Sequence, residues 1–337
     1  MHDSSPWPVP PALSGVRQSA RIKHTPEDFR VIELPNWTPS GDGEHEVLWI
    51  QKTDANTEWV ARQLARYAEV SVKNVSFAGR KDRAAVTDQW FSVQVPGRSV
   101  DWSDFSVAGV QIQSTARHNR KIRTGALRGN RFEVRLREMG HAPDPELIVA
   151  IAQGVPNYFG AQRFGRGFSN LDAAEGLANG RRLRRNERSL ALSAARAAIF
   201  NSVLAIRVQA QTWDTPLDGD VVQLEGSNSV FAVESDALDD VKRRAEQRDL
   251  HPTGPLYGRG DTGVQSDAMQ LEAKVIEDCA KWASAAERGG AKAGRRSLRV
   301  VPHDFSCEYT NETAHLTFEL PAGSFATALL NELVLPD

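Results

Sequence analysis

The residues with the clearest chemical potential lie in the segment FAGRKDRAAVTDQWFSVQV, at positions 77–95. Asp82 stands between Lys81 and Arg83 in a glycine-led turn, and β-branched and aromatic residues over 86–95 predict a strand directly after it. A carboxylate between two cations on a short loop stays ionised and can face a polyanionic partner. The pattern favours chemistry on a nucleic acid, although a turn aspartate paired with Lys81 or Arg83 fits it too.

Four other segments mix glycine, aromatic and basic or amide residues: KHTPEDFRV from Lys23, GALRGNRFEV from Gly125, PNYFGAQRFGRG from Pro156 and PAGSFATALL from Pro321. An aromatic ring can stack on a base, an asparagine can read a base edge, and arginines can hold phosphates. Each ring in these segments also fits the core face of an ordinary strand or helix, and Asn130 also fits a turn after Gly129. The residues alone therefore indicate a protein with basic, aromatic-rich loops that handles RNA.

The charge distribution supports this interpretation more than the net charge does. The chain has 337 residues and a net charge of −2, which does not by itself indicate a nucleic-acid-binding protein. Two segments are nevertheless strongly basic. The first basic run, 117–137, has one acid, Glu133, and eight cations: Arg117, Arg120, Lys121, Arg123, Arg128, Arg131, Arg135 and Arg137. The second basic run, 181–188, has one acid, Glu187, and five cations: Arg181, Arg182, Arg184, Arg185 and Arg188. Such runs can hold a phosphate backbone, whereas either one alone is also typical of a solvated surface.

Several classes of protein are disfavoured. Two cysteines, Cys279 and Cys307, imply no disulfide framework, and the scattered histidines show no metal-ligand spacing. We expect no metal and no cofactor. The N-terminal residues lack the apolar core of a signal peptide, and no run approaches the ~18 apolar residues of a membrane span, so a cytoplasmic location is expected.

One motif match is misleading. Residues 258–263, GRGDTG, satisfy the dinucleotide-binding pattern, but residues 253–257 in front of them are not predicted to form a strand. The pattern requires that strand, so this segment is interpreted as a loop.

The elements that must position the candidate residues follow from hydrophobic periodicity. Over 130–137, Phe132, Val134 and Leu136 alternate with charged residues, as in a half-covered antiparallel strand. Asn56 is a predicted cap for a helix whose inner face holds Val60, Leu64 and Tyr67. Further strands are predicted at 29–34, 47–50, 75–78, 86–95, 107–112 and 315–320.

The middle of the chain has a helical character. Helices are predicted from Pro145, over 190–208, over 267–286 and near the C-terminus, where Leu329, Leu330 and Leu333 face inward. Residues 288–297 are predicted to be a flexible basic loop. Strands and helices mix without a regular βαβ rhythm, so the predicted fold class is α+β.

Five of these segments, in the same order along residues 23–333, make the chain resemble the tRNA pseudouridine synthase D (TruD) family: KHTPEDF, FAGRKDRAAVTDQWFSVQVPG, GALRGNRFEVRLRE, VPNYFGAQRFG with the later LSAARAAIFN, and LPAGSFATALLNEL. The resemblance implies a catalytic domain of residues 1–155 and 302–337 around a mixed, largely antiparallel sheet. It also implies a helix-rich insertion domain at 156–301.

The implied activity is the isomerisation of a uridine in tRNA, at position 13 for this family, to pseudouridine, without a cofactor, a metal, a membrane or an obligate protein partner. The resemblance assigns Asp82 as the catalytic aspartate and Lys23 as its accompanying cation. It assigns Phe29, Asn130, Phe132 and Phe325 as contacts to the target nucleotide. The uridine would be flipped out of its helix, and Asp82 would act in breaking the N1–C1′ bond, by attack on the sugar or the base or by removing a sugar proton.

Two other classes of protein fit the same residues. One is a non-catalytic RNA-binding or chaperone protein that uses the same basic and aromatic surface. The other is a carboxylate-dependent nuclease or glycosidase, in which Glu27 or Asp28 would supply the second carboxylate that a glycosidase needs beside Asp82.

Overall fold

The computed structural model describes residues 9–335. The strands are β1 Arg21–Ile22, β2 Phe29–Leu34, β3 His45–Thr53, β4 Val75–Phe77, β5 Val86–Gln94, β6 Val110–His118, β7 Gly129–Arg137, β8 Val155–Pro156, β9 Val221–Leu224, β10 Val230–Ala232, β11 Leu250–Leu256, β12 Gly294–Ser297, β13 Arg299–Val300, β14 His303–Thr310 and β15 Thr313–Pro321. The α-helices are α1 Thr57–Tyr67, α2 Pro145–Gln153, α3 Ser169–Ala178, α4 Arg185–Gln209, α5 Leu238–Glu246, α6 Ser266–Asp278, α7 Ala280–Arg288 and α8 Ala326–Leu333.

Contacts divide the chain into two compact units. The sheet unit comprises Val16–Ile148, Pro302–Gly323 and the C-terminal end from Val334. The helical unit comprises the N-terminal end up to Gly15, Val149–Val301 and Ser324–Leu333. Compactness alone does not define a domain, so the predicted catalytic domain (1–155 with 302–337) and insertion domain (156–301) stay a prediction.

The sheet unit is built on one sheet with the strand order β14-β15-β7-β2-β5-β3-β6; β1 also pairs with β7, and β4 with β5. The pairing of β2 with β5 is parallel, with Arg30 opposite Val86. The other pairings in this sheet are antiparallel. The predicted α+β class with a mixed, largely antiparallel sheet is therefore confirmed. Parallel pairing places the segments that precede β2 and β5 at the same edge of the sheet, and these segments contain Lys23 and Asp82.

The core of the sheet unit lies between the sheet and α1. Val60 and Leu64 of α1 are fully buried and belong to one cluster with Leu48, Ile50 and Phe91 of the strands. The predicted inner face is thus confirmed for these two helix positions. The third, Tyr67, is only partly buried, with its ring 5.4 Å from that of Trp102.

The alternation predicted over 130–137 is also confirmed. Phe132, Val134 and Leu136 are buried, whereas Arg131 and Glu133 are partly exposed. Strand β7 lies between β2 and β15, so both of its edges are hydrogen-bonded and its position in the sheet is well determined.

The helical unit is organised around α4, a 25-residue helix that contacts α3, α6, α7 and β11. Among the described residues, α4 is long and apolar enough to cross a membrane by length and composition alone, with a mean hydropathy of 1.5 over its most apolar window. Of that window, 61% is buried inside the unit. The packing of a core helix therefore accounts for its apolar composition.

Three predictions for this unit are wrong at the level of single elements. The residues in front of the 258–263 motif do form a strand, β11, which is almost entirely buried between β9 and β12. Both pairings are antiparallel, so the βαβ context of a dinucleotide site is still lacking.

The predicted flexible loop at 288–297 ends in strand β12, and the helix predicted over 267–286 is divided at Cys279 into α6 and α7. The basic character of this segment was misleading, because Arg295 is not solvated. Its guanidinium lies 2.7 Å from the buried carboxylate of Glu272 and donates to the Thr253 carbonyl. Burial of a charge is tolerated when a partner of this kind is present.

Candidate active site

The Asp82 carboxylate forms an ion pair with the Lys23 ammonium, and both side chains are about 30% exposed (28% for Lys23 and 31% for Asp82). Asp82 belongs to the loop between β4 and β5, and Lys23 to the segment before β2. The parallel β2–β5 pairing brings these two segments together, although the residues are 59 positions apart in the chain. The result is a partly exposed carboxylate beside a partly exposed cation.

The backbone of Lys23 has a left-handed conformation, with φ of 56°. Residues other than glycine adopt this conformation at a cost of about 1–3 kcal/mol, and such residues cluster at functional sites. The Lys23 ammonium also lies 4.2 Å from the centre of the Phe29 ring, a cation–π contact. Strain and ring contact together direct the ammonium towards Asp82.

The two cations that flank Asp82 in the sequence do not hold its carboxylate. Lys81 donates to the Asn130 side-chain oxygen at 2.6 Å and lies 3.1 Å from the Glu33 carboxylate. Arg83 donates to Asp54 at 3.1 Å. The alternative in which Asp82 pairs with Lys81 or Arg83 is therefore wrong. The partner is Lys23, the distant residue that the resemblance implies as the accompanying cation.

Polar bonds from the strands and from α1 fix the Asp82 loop. The Lys81 amide donates to the Thr57 hydroxyl at 3.0 Å, and that hydroxyl donates to the Gln89 side-chain oxygen at 3.1 Å. The Gln89 amide group in turn donates to the Gly79 carbonyl at 3.1 Å. A loop held at several points needs little reorganisation when a substrate binds.

A second lysine, Lys52 of β3, lies beneath the loop and was missed by the sequence analysis. Its ammonium donates to the Asp82 backbone carbonyl at 2.9 Å, and its side chain is fully buried. Burial, with a smaller contribution from the Lys81 charge, lowers the pKa of Lys52 to about 8, and the Asp82 charge opposes this shift. A sequence signal existed, because Lys52 continues the alternation of Leu48 and Ile50 and so falls on the core face of its strand.

The same alternation predicts burial of Glu33 in β2, because Glu33 lies on the buried face of the strand with Phe29 and Val31. Burial raises the pKa of the Glu33 carboxyl, and the charge of Lys81 opposes that shift. The chain Glu33–Lys81–Asn130 links β2, the Asp82 loop and β7. Lys81, the sequence neighbour of Asp82, thereby holds the Asn130 side chain in one orientation.

The two candidate rings of the sheet unit are largely covered by protein. Phe29 and Phe132 are 5% and 6% exposed and meet edge to face with their centres 6.1 Å apart. One face of Phe132 stacks on Phe318 at 5.2 Å. One connected group is thus formed by Lys23, Asp82, Phe29 and Phe132. The side-chain amide of Asn130 joins this group through its hydrogen bond to Lys81, the sequence neighbour of Asp82.

Phe325 lies in the helical unit, directly before α8. Its ring lies 5.8 Å from that of Phe159 and 5.5 Å from the Arg163 guanidinium. Phe159 and Arg163 both belong to the PNYFGAQRFGRG segment. Burial lowers the pKa of Arg163. Two of the motifs singled out in the sequence therefore meet within this unit.

The carboxylates that a glycosidase would need are differently engaged. Asp28 is buried and accepts three hydrogen bonds from Arg137, at 2.7–3.0 Å, and one from the Thr25 amide. The Arg137 bonds lower the pKa of Asp28, which keeps it charged and unsuited to proton donation. Glu27 is exposed. The glycosidase alternative therefore loses Asp28 as the second carboxylate beside Asp82.

The first basic run divides into paired and unpaired cations. Four of its arginines lie 2.7–3.8 Å from a carboxylate: Arg117 from Glu46, Arg128 from Glu319, Arg131 from Glu133 and Arg137 from Asp28. Within residues 9–335, Arg120 and Arg123 have no carboxylate partner and both are exposed. Their charges are therefore available to an outside ligand.

Comparison with known proteins places the chain in a family. The family model described as tRNA pseudouridine synthase D (TruD) matches residues 14–172 and 169–333. The chain is 44% identical over 322 residues to the tRNA pseudouridine synthase D of Hydrogenovibrio crunogenus, with 94% of this chain and 92% of that protein covered. It is 43% identical over 334 residues to the protein of the same name from Methylococcus capsulatus, with 97% and 94% covered.

A crystal structure supports the fold. It is that of a Methanosarcina mazei protein provisionally named tRNA pseudouridine synthase D, and it matches with a TM-score of 0.72. The alignment covers 96% of this chain and 95% of that one, at 21% identity, and therefore shows the fold alone.

The family model and the curated relatives define the class of the protein as an RNA-modifying isomerase. The chain belongs to the tRNA pseudouridine synthase D family. The family and the class of enzyme expected from the sequence motifs are confirmed.

Proposed function

We propose that this protein converts a uridine of tRNA, at position 13 as the resemblance implies, into pseudouridine, with Asp82 as the catalytic carboxylate. The observation that carries the proposal is the Asp82–Lys23 ion pair on a loop anchored to the sheet. The pair is partly exposed, so a substrate can reach it, and the Lys23 ammonium lies beside the carboxylate that the chemistry requires.

The other residues near Asp82 have supporting roles in this proposal. Lys52 anchors the Asp82 carbonyl and adds positive potential beneath the loop when it is protonated. Asn130, oriented by Lys81, contacts a polar edge of the target nucleotide. Phe29 supports Lys23 through its ring face. Phe325 is a proposed nucleotide contact from its motif alone.

Phe132 is the proposed stacking partner of the flipped base. Extrusion of a base costs a few kcal/mol in lost stacking, and a new stack on an aromatic ring returns part of that energy. Because Phe132 is only 6% exposed and its other neighbour is Phe29, a full stack requires these two rings to separate when the base enters. Phe132→Ala is expected to slow the reaction strongly at saturating tRNA.

The decisive experiment uses tRNA labelled with tritium at C5 of uridine. Tritium is released to water only when C5 becomes the glycosidic carbon, so the assay separates isomerisation from strand cleavage and from simple binding. We expect release by the wild type and none by Asp82→Asn, with tRNA binding retained. Activity in Asp82→Asn would show that the catalytic assignment is wrong. A wild type that binds tRNA without tritium release would favour the non-catalytic alternative.

A further inference from the structure

An open cleft in the sheet unit lies outside the group around Asp82. Its volume is about 470 Å³, within the range of small-ligand sites. No acidic residue lines it. The lining residues are Trp37, His118, Arg120, Lys121 and Arg123, together with Asn36, Thr38, Ile122 and Ala126. We refer to it as the Trp37 cleft.

The cations of the cleft are free to bind an anion. Arg120 and Arg123 are exposed and have no carboxylate partner within the described part of the chain. Lys121 donates to the Lys73 carbonyl at 2.7 Å, which positions its ammonium without neutralising it. Three positive charges without a counter-charge form an electrostatic site for phosphate groups.

The aromatic wall of the cleft is rigid. The Trp37 ring stacks on the ring of His118 at 4.8 Å and contacts that of Trp90 at 5.5 Å, and its indole N–H donates to the Ala126 carbonyl at 3.2 Å. His118 accepts the Ser40 amide on Nδ1. Burial and the Arg120 charge lower the pKa of His118, so its ring is neutral near pH 7. A fixed, partly exposed indole beside unpaired cations is the combination that binds single-stranded nucleic acid.

The cleft is connected to the Asp82 loop through the backbone. The Gly125 amide donates to the Ala78 carbonyl at 2.8 Å, and the Ile122 amide donates to the Ser92 hydroxyl at 3.2 Å. Ala78 is four residues before Asp82, which corresponds to at most about 14 Å of extended chain. The loop that carries Arg120 and Arg123 is therefore bonded to the segment that leads into Asp82.

From this geometry, and resting on the proposed function, we propose that the Trp37 cleft holds a second, unpaired nucleotide of the tRNA, distinct from the target uridine. Its base stacks on Trp37, and its flanking phosphates bind Arg120 and Arg123. The cleft would thus contribute to the choice of substrate by requiring an unpaired nucleotide near the target, without touching the reacting atoms.

The first test measures tRNA binding as a function of salt. Each phosphate contact to a single strand contributes about 0.7 to the slope of log affinity against log salt, so Arg120→Ala/Arg123→Ala is expected to lower that slope by about 1.4. The matched control is Arg62→Ala/Arg66→Ala, which removes two exposed arginines of α1 in the same unit. Equal changes in the two double variants would overturn the proposal, because only net charge would then matter.

The second test identifies the stacked base. Single abasic substitutions are scanned along the tRNA, and one position other than the target is expected to weaken wild-type binding by about 5- to 140-fold, the range that loss of one base–aromatic stack implies. In Trp37→Leu the same substitution should have little effect, since the partner ring is already absent. An unchanged scan pattern in Trp37→Leu would contradict the stacking assignment.

Two controls separate this inference from folding and from the proposed function. Thermal unfolding reports whether Trp37→Leu is folded; if it is not, Trp37→Phe, which keeps a ring, and the double arginine variant decide the question. Tritium release should be unchanged in the control Arg62→Ala/Arg66→Ala, reduced at limiting tRNA in Arg120→Ala/Arg123→Ala, and abolished in Asp82→Asn. If the wild type is active but the cleft variants bind tRNA as tightly as the wild type, the proposed role of the Trp37 cleft is refuted and the proposed function still stands.

Discussion

At the residue scale, the least expected feature is a buried lysine under the candidate catalytic loop. Lys52 has a pKa lowered to about 8, so it titrates within the range in which activity is measured. Its protonated form donates to the Asp82 carbonyl and adds to the positive potential around the carboxylate. The charge state of Lys52 therefore links pH to the position of the Asp82 loop.

The first prediction concerns the pH dependence of the rate. If protonated Lys52 supports catalysis, the single-turnover rate of tritium release should fall as the pH rises through about 8. In Lys52→Met that limb should disappear and the rate should be low at every pH. A wild-type rate that stays flat from pH 7 to pH 9 would exclude a role for the Lys52 charge.

The second prediction concerns stability and the same residue. The pKa of Lys52 is lower in the folded protein than its ordinary value of 10.5, so the unfolded chain binds more protons between about pH 8 and pH 10.5. The contribution of Lys52 to stability therefore rises with pH across that window. Urea unfolding at several pH values should show the wild type gaining stability relative to Lys52→Met between pH 8 and pH 10.5. A stability difference between the two proteins that stays constant over this pH range would contradict the lowered pKa of Lys52.

At the element scale, the parallel β2–β5 pair determines which loops meet, and buried polar links determine how they are oriented. Glu33 on β2 and Lys81 on the Asp82 loop form an ion pair whose side chains are both at most 5% exposed. Removing one member of a buried pair leaves the other charge uncompensated, at a cost of about 3–5 kcal/mol.

The third prediction follows from this pair. Glu33→Gln should lower the free energy of unfolding by about 3 kcal/mol and reduce activity through misplacement of Asn130. The double variant Glu33→Gln/Lys81→Met should lose less stability than the sum of the two single changes, because no buried charge remains unpaired. Denaturant unfolding of the four proteins measures the coupling, and strict additivity would show that the two residues do not interact.

The fourth prediction concerns the strand that carries Asn130. A Cβ at Gly129 would lie 2.3 Å from the Leu320 carbonyl oxygen of the neighbouring strand, so the backbones approach too closely for any side chain. Gly129→Ala should therefore separate β7 from β15 locally, cost about 1–3 kcal/mol and lower the rate. Gly125→Ala in the preceding loop is not a suitable control, because Gly125 has a φ of 85°. The exposed Gly140, where a Cβ meets nothing within 4 Å, is suitable.

The same scale explains where element predictions succeeded and failed. Strand β7 was predictable because one of its faces is buried and the other is solvated, so the period of two is visible in the residues. Strand β11 was not, since both faces are buried and it contains Pro252 and Pro255, which normally argue against a strand interior. Here tertiary packing outweighs local preference.

At the scale of the whole molecule, tRNA binding should depend on clusters of exposed cations. Four arginines of the second basic run are exposed: Arg181, Arg182, Arg184 and Arg185. Within residues 9–335, Arg181 is the only one of these four with a nearby carboxylate, that of Glu187 at 3.5 Å. An exposed pair of this kind adds little to stability, so these arginines are available for phosphate contacts.

The fifth prediction is that replacing these four arginines with alanine weakens tRNA binding and flattens its salt dependence. Each lost contact to duplex phosphate should reduce the slope by about 0.9, so the change should lie between about 1 and 4. Stability should change little, which thermal unfolding would check. A salt slope equal to that of the wild type would show that this cluster faces away from the RNA.

The order of five motifs was enough to identify the family and the fold class, because these motifs record which residue types the chemistry and the turns require. The catalytic role of Asp82 stays a prediction. The resemblance already implied Lys23 as the cation beside Asp82, but the sequence did not reveal the role of Lys81 towards Asn130 or the buried Lys52. Those depend on which strands lie side by side, and the parallel pairing of β2 with β5 joins segments about 60 residues apart. Alternation along a strand can indicate that a residue such as Lys52 is buried, but local sequence carries no direct signal for which loops the sheet topology brings together.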